Sequence, residues 1–156
     1  MTTNDNLVGV LNDLIEINND RVRGYEKAAE ESKTLDVDLK ATFEKFANDS
    51  RKYAAELTQK VNELGGEPSR DSTNMGKIYR VWMDVKATFS GHDRQAVLEN
   101  CEFGEDAAQK AYRAALASDA EIDATTRQLI TDQQGALKTA HDAIKKYRDA
   151  HEAVNS

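Results

Sequence analysis

The chain has 156 residues, 39% hydrophobic and 31% charged, with a single proline and a low aromatic content. That length predicts one domain with a real core, and that composition predicts a helical protein rather than a sheet or a disordered chain. A net charge of −7 repels nucleic-acid backbone and anionic lipid, no lysine or arginine block offsets it, and no apolar run approaches a membrane span.

Met1 to Asp5 is polar, with no basic segment ahead of an apolar run, and Cys101 has no second cysteine to pair with. Both features predict a chain of the reducing cytoplasm. From Leu7 the apolar positions Leu7, Leu11, Leu14, Val22 and Tyr25, with Asn18 in the gap, predict a first long helix over about residues 4–32. The next stripe, Leu39, Phe43, Phe46, Ser50, Tyr53, Leu57, Val61 and Leu64, starts behind Asp36 as N-cap and stops at Gly65-Gly66 as C-cap. These two form an antiparallel hairpin.

Residues 65–73 hold Pro68 and read as a loop. A shorter amphipathic helix is predicted over residues 74–89, with Ile78, Val81, Trp82, Val85 and Phe89 on one side, inside a crossover connection. A third long helix is expected from Asp93 to Leu116, carrying Val97, Cys101, Glu105, Ala108, Tyr112 and Ala115 inward. The fourth is expected to open on a capping box, Ser118-x-x-Glu121, with Ile122, Thr126, Leu129, Gln133, Ala136, Ala140, Ile144 and Tyr147 in register. The fold class is therefore all-α, one antiparallel four-helix bundle over residues 1–156 with a short helix between the second and third long ones.

The two hairpins match each other. An offset of 87 carries Asn18 to Glu105 and Tyr25 to Tyr112, and an offset of 83 carries Asp36 to Asp119 and Ser50 to Gln133. Two similar hairpins joined by a long crossover suit the ferritin-like topology.

Tyr25 with Lys27-Ala28-Ala29, Tyr53-Ala54, and Gly104-Glu105 with Tyr112 resemble the helices of rubrerythrin and the ferritin-like superfamily. With its Leu64-Gly65-Gly66-x-Pro68 turn and Trp82, the whole chain is similar to a bacterial family of ferritin-like four-helix-bundle proteins of unknown function. That resemblance implies a di-iron site, built from one glutamate on each of two helices and a Glu-x-x-His pair on each of the others. Carried over, the ligand positions fall on Asn18, Ser50, Tyr53, Glu105, Gln133 and Ala136. One carboxylate of the set survives, so the site is expected to be degenerate, a polar core layer without cofactor or catalysis.

The alternative is iron or another divalent metal at a shifted site using Glu102, Glu105 and His141, with Glu26, Asp49, Glu56 and Asp132 also one position off their stripes. Within the expected layer Glu105 has only neutral neighbours and no evident cation. Burial would then favour a protonated carboxyl donating to Asn18 or Gln133, and Glu105→Gln should leave folding intact or stabilise it. Tyr25, Tyr53 and Tyr112 read as core residues with polar tips, and Cys101 as a small buried hydrophobe. No phosphate-binding glycine loop, nucleophile elbow, Cys-x-x-Cys or His-Glu-x-x-His motif occurs. The functions left are an interaction or stress-associated protein, meeting a protein partner or a second copy through its crossover helix, a drifted metal protein, or a bundle with a pocket for a small apolar ligand.

Overall fold

The structure is a computed structural model that describes residues 3–32, 37–69 and 94–155. It contains four long helices, α1 (Thr3–Ser32), α2 (Val37–Glu63), α3 (Arg94–Leu116) and α4 (Ala124–Asn155). The expected crossover helix over residues 74–89 and the Asp36 cap lie outside the described residues.

The helices pair as two hairpins, α1 with α2 and α3 with α4, joined by a long seam between α1 and α3 and a much shorter one between α2 and α4. On α1 the buried side is Leu7, Leu11, Leu14, Asn18, Arg21, Tyr25 and Ala28. Steps of four and three alternate along it without a break, the repeat that keeps one seam facing a neighbouring helix. The same rhythm appears on α4 as Thr126, Ile130, Gln133, Leu137, Ala140 and Ile144.

Two of the expected inward residues of α4 are thereby corrected: Leu129 is half-buried and Ala136 exposed, while Ile130 and Leu137 face the core. The rest of the expected stripe holds, with Thr126, Gln133, Ala140 and Ile144 buried; after Thr126 and Gln133 the step to the next buried residue is four, where three was expected. The expected cap is corrected too. Asp123 is the N-cap, its carboxylate accepting from the Thr126 amide at 3.1 Å and the Thr126 hydroxyl at 2.7 Å. Ser118 instead closes α3, its hydroxyl donating to the Ala115 carbonyl at 2.8 Å. α2 and α4 consequently begin at Val37 and Ala124, the same 87-residue spacing that relates Asn18 to Glu105.

The C-terminus of α2 behaves as read. Gly65 adopts φ +79°, Gly65 N–H donates to Asn62 O, and Gly66 N–H reaches back to Val61 O, each at 3.0 Å, a Schellman closure. A Cβ on Gly66 would stand 2.7 Å from both Val8 methyl groups, so glycine lets the turn press onto α1. The following segment is pinned there as well. Asn12 donates to the Glu67 carbonyl at 2.9 Å and accepts from the Ser69 amide at 2.8 Å.

The apolar interior falls into two clusters. One gathers Tyr25, Leu39, Phe43, Phe46, Val97, Leu98, Cys101 and Ile144. The other gathers Leu7, Leu11, Leu14, Leu57, Val61, Ala108, Ile130 and Leu137. Asn18 and Arg21 stand on α1 between the segments that feed these clusters, and a polar layer lies there.

Candidate functional site

The centre of the layer is an ion pair between α1 and α3. Arg21 is 1% exposed and Glu105 1% exposed. The guanidinium grips the carboxylate with two parallel bonds, Nε to Oε1 at 2.5 Å and Nη2 to Oε2 at 2.9 Å. This planar fork on a carboxylate is the strongest arrangement open to the two side chains. Burial is the largest influence on Arg21 and opposes its charge. The Glu105 charge and hydrogen bond work the other way, and the pKa stands above its ordinary value.

From this pair a chain of hydrogen bonds runs in one direction across the bundle. Arg21 Nη1 donates to Ser50 Oγ, and Ser50 Oγ donates to Asn18 Oδ1 at 3.0 Å. Asn18 Nδ2 donates to the Tyr112 hydroxyl at 2.8 Å, and to the Leu14 carbonyl on its own helix. Tyr112 donates to Gln133 Oε1 at 2.6 Å, and Gln133 Nε2 ends the chain on Glu56 Oε1 at 3.1 Å and the Tyr53 carbonyl at 3.3 Å. Each donor hands on to an acceptor that is itself a donor, from a cation at one end to a carboxylate at the other. A buried network so connected is rigid, and every helix contributes to it.

Aromatic rings close the layer on one side. The Arg21 guanidinium lies 5.2 Å from the Tyr25 ring centroid, and Tyr25 packs against Phe43 and Phe46 at 5.7 and 5.4 Å. Burial, and next the nearby Glu105 charge, push the Tyr25 phenol far above its usual range. Burial likewise raises Tyr112, and raises Tyr53 together with the Asp49 charge. The buried rings are thus held as neutral phenols at ordinary pH.

Of the residues expected in the layer, Asn18, Ser50, Glu105 and Gln133 are brought into one hydrogen-bonded chain. Tyr53 joins through its backbone carbonyl, its side chain half-buried beside them. The expectation that Glu105 has only neutral partners is overturned by Arg21. The signal was present in the alternation of four and three from Leu7, which lands on Arg21; following the apolar residues alone leads to Val22, which is only half-buried. A charged residue on a core stripe is easily passed over when its partner sits on another helix.

The three residues weighed for a shifted metal site go to different partners. Glu105 binds Arg21, Glu102 binds Arg148, and His141 Nε2 meets Asp106 Oδ1 at 2.6 Å with Nδ1 3.2 Å from Asp142. The flanking acids do the same: Glu26 with Arg51, Asp49 with Lys45, and Asp132 with Gln128. Among the described residues no group of three or more His, Cys, Asp or Glu is placed to hold a metal ion. None of their helices is long and apolar enough to cross a membrane.

Four long helices paired as two hairpins match a ferritin-like four-helix bundle. Comparison of folds agrees. A mutant of Dps1 from Mycobacterium smegmatis superposes with a TM-score of 0.79 at 14% identity, over 95% of this chain and 99% of that one, a likeness of fold alone. The chain belongs to the family described as Domain of unknown function (DUF2383), whose sequence pattern matches residues 6–118, taking in α1, α2 and α3. Curated proteins offer no match.

Proposed function

We propose that this chain is a noncatalytic ferritin-like bundle in which an arginine has replaced the metal centre, and that it acts through what its surface binds. The observation that carries this reading is the bidentate Arg21–Glu105 pair, both side chains fully buried. A di-iron centre brings several positive charges and requires several carboxylates with imidazoles to complete coordination. At the carried-over ligand positions the one carboxylate is Glu105, already matched by a guanidinium, with Asn18, Ser50 and Gln133 as neutral company and Tyr112 between them. These residues do not fit two divalent ions. Arg21 supplies a permanent charge and rigid donors instead, and the layer sets the mutual register of the helices.

The same reading makes the chain an interaction or stress-associated protein of the cytoplasm, working with a protein partner or a second copy at the crossover segment. Its charge of −7 supports that over nucleic acid or membrane. The test is metal analysis of the purified protein by plasma mass spectrometry, before and after anaerobic ferrous loading and exposure to air. Below about a tenth of an equivalent per chain is expected, because a stoichiometric structural site retains its metal. About two irons per chain with an oxo-bridge absorption band would overturn the reading and favour a relocated carboxylate site.

A further inference from the structure

An offset of 87 residues carries the buried face of one hairpin onto that of the other. It takes Leu11 to Leu98 and Tyr25 to Tyr112 from α1 to α3, and Phe43 to Ile130 and Leu57 to Ile144 from α2 to α4, buried onto buried each time. Equivalent helices also pack on each other, α1 on α3 and α2 on α4. Across the longer seam a contact has its reciprocal, as a twofold relation requires. Asn18 meets Tyr112, and the contact obtained by exchanging the helices, Tyr25 with Glu105, is present too.

The ion pair breaks this symmetry. Under the same exchange Arg21 opposite Glu105 becomes Asn18 opposite Ala108, two buried residues without charge. The hairpins are therefore alike in pattern and unlike in charge. A second copy's α1–α2 hairpin set against this one would place Arg21 opposite Asn18 twice, burying two guanidiniums with no Glu105 to match them. Two α3–α4 hairpins would place Glu105 opposite Ala108 twice, burying two carboxylates with no Arg21. Only unlike hairpins match charge for charge, and an unpaired buried charge is a heavy penalty against a wrong partner. We propose that the Arg21–Glu105 pair is a specificity key, restricting the α1–α3 seam to unlike hairpins and keeping two copies of this chain from pairing like with like. The inference rests on the reading of the layer as structural rather than metal-binding.

The experiment removes both charges, by Arg21→Met with Glu105→Leu, and refolds the full chain from urea at about 5 µM and about 500 µM, so that mass action reveals association. Sedimentation velocity compares its stoichiometry with that of the wild type. The neutral variant is expected to keep most of the wild-type urea midpoint at the lower concentration and to show a roughly tenfold higher ratio of associated to unassociated chain at the higher one. Arg21→Gln with Glu105→Gln guards against a packing fault in the first pair and should behave alike. Glu105 faces Arg21 and Tyr25, the counterparts of residues 108 and 112, so two like α3 helices would cross near Ala108. Ala108→Cys with Cys101→Ala, placed in both charge backgrounds, is therefore expected to link chains on oxidation in the neutral background alone. The same stoichiometry in every variant, or extra association without a link through residue 108, would overturn the proposal. Iron content of the same samples reads the metal question separately.

Discussion

Glu105→Gln is the substitution on which the account of the core turns. A reading without Arg21 expects it to be harmless or stabilising, and the ion pair reverses that sign. Glutamine keeps the shape and one acceptor oxygen, but it removes the charge that matches a guanidinium 1% exposed and turns an amide donor toward it. Breaking a buried pair in this way costs about 3–5 kcal/mol, because the remaining charge stays desolvated. Against a total stability of about 5–15 kcal/mol that is a large fraction. At about 2–4 °C per kcal/mol for a chain of this size, the midpoint should fall by roughly 6–20 °C. Arg21→Met should be milder in charge terms but leaves Glu105 unpaired, while Arg21→Met with Glu105→Leu removes both charges and should recover much of the loss. Urea unfolding of the wild type, both single variants and the double variant closes the cycle, provided the slopes agree. A Glu105→Gln protein as stable as the wild type, or a double variant worse than either single, would refute the reasoning.

Other expectations follow from the same geometry. Tyr112→Phe deletes the hydroxyl between Asn18 and Gln133 and should cost about 1–3 kcal/mol in urea unfolding, since both amides lose a buried partner. Asp123→Ala should cost about 0.5–2 kcal/mol as a lost cap, whereas Glu121→Ala should be near neutral, the opposite of what a Ser118-x-x-Glu121 box requires. The Thr126 hydroxyl and amide hold the Asp123 pKa low, so the cap's contribution should be present above about pH 3.9 and fade as pH falls through the lowered folded value. For His141, burial opposes protonation while Asp142 and Asp106 favour it, and the net pKa is raised. Its contribution should be full below about pH 6.5 and lost as pH rises through the raised value, at most about 1 kcal/mol for so open a pair. Comparing urea midpoints of the wild type and His141→Gln at about pH 5.5 and about pH 8.5 checks this; a larger difference at the higher pH would contradict it.

Much was legible in the chain itself. Long runs of apolar residues at helical spacing, Gly65-Gly66 after a last periodic residue and two hairpins in similar register are local signals. They determine four helices and a ferritin-like bundle, because burying an apolar stripe leaves few other arrangements open. The members of the central layer were legible for the same reason, since Asn18, Ser50, Glu105 and Gln133 interrupt otherwise apolar stripes. Local spacing does not say which of two adjacent residues faces inward. The choice of Ile130 and Leu137 over Leu129 and Ala136 is made by how α4 packs, since both stripes share Thr126, Gln133, Ala140 and Ile144 and differ only in a step of four or three after Thr126 and Gln133. The partnership of Arg21 with Glu105 is further out of reach, for the two are 84 residues apart and meet only because α1 packs on α3. Charge on a core stripe looks like an error or a ligand until its counter-charge is known. Only the tertiary structure brings the two together, and with them decides whether the core holds a lone carboxyl or a closed ion pair.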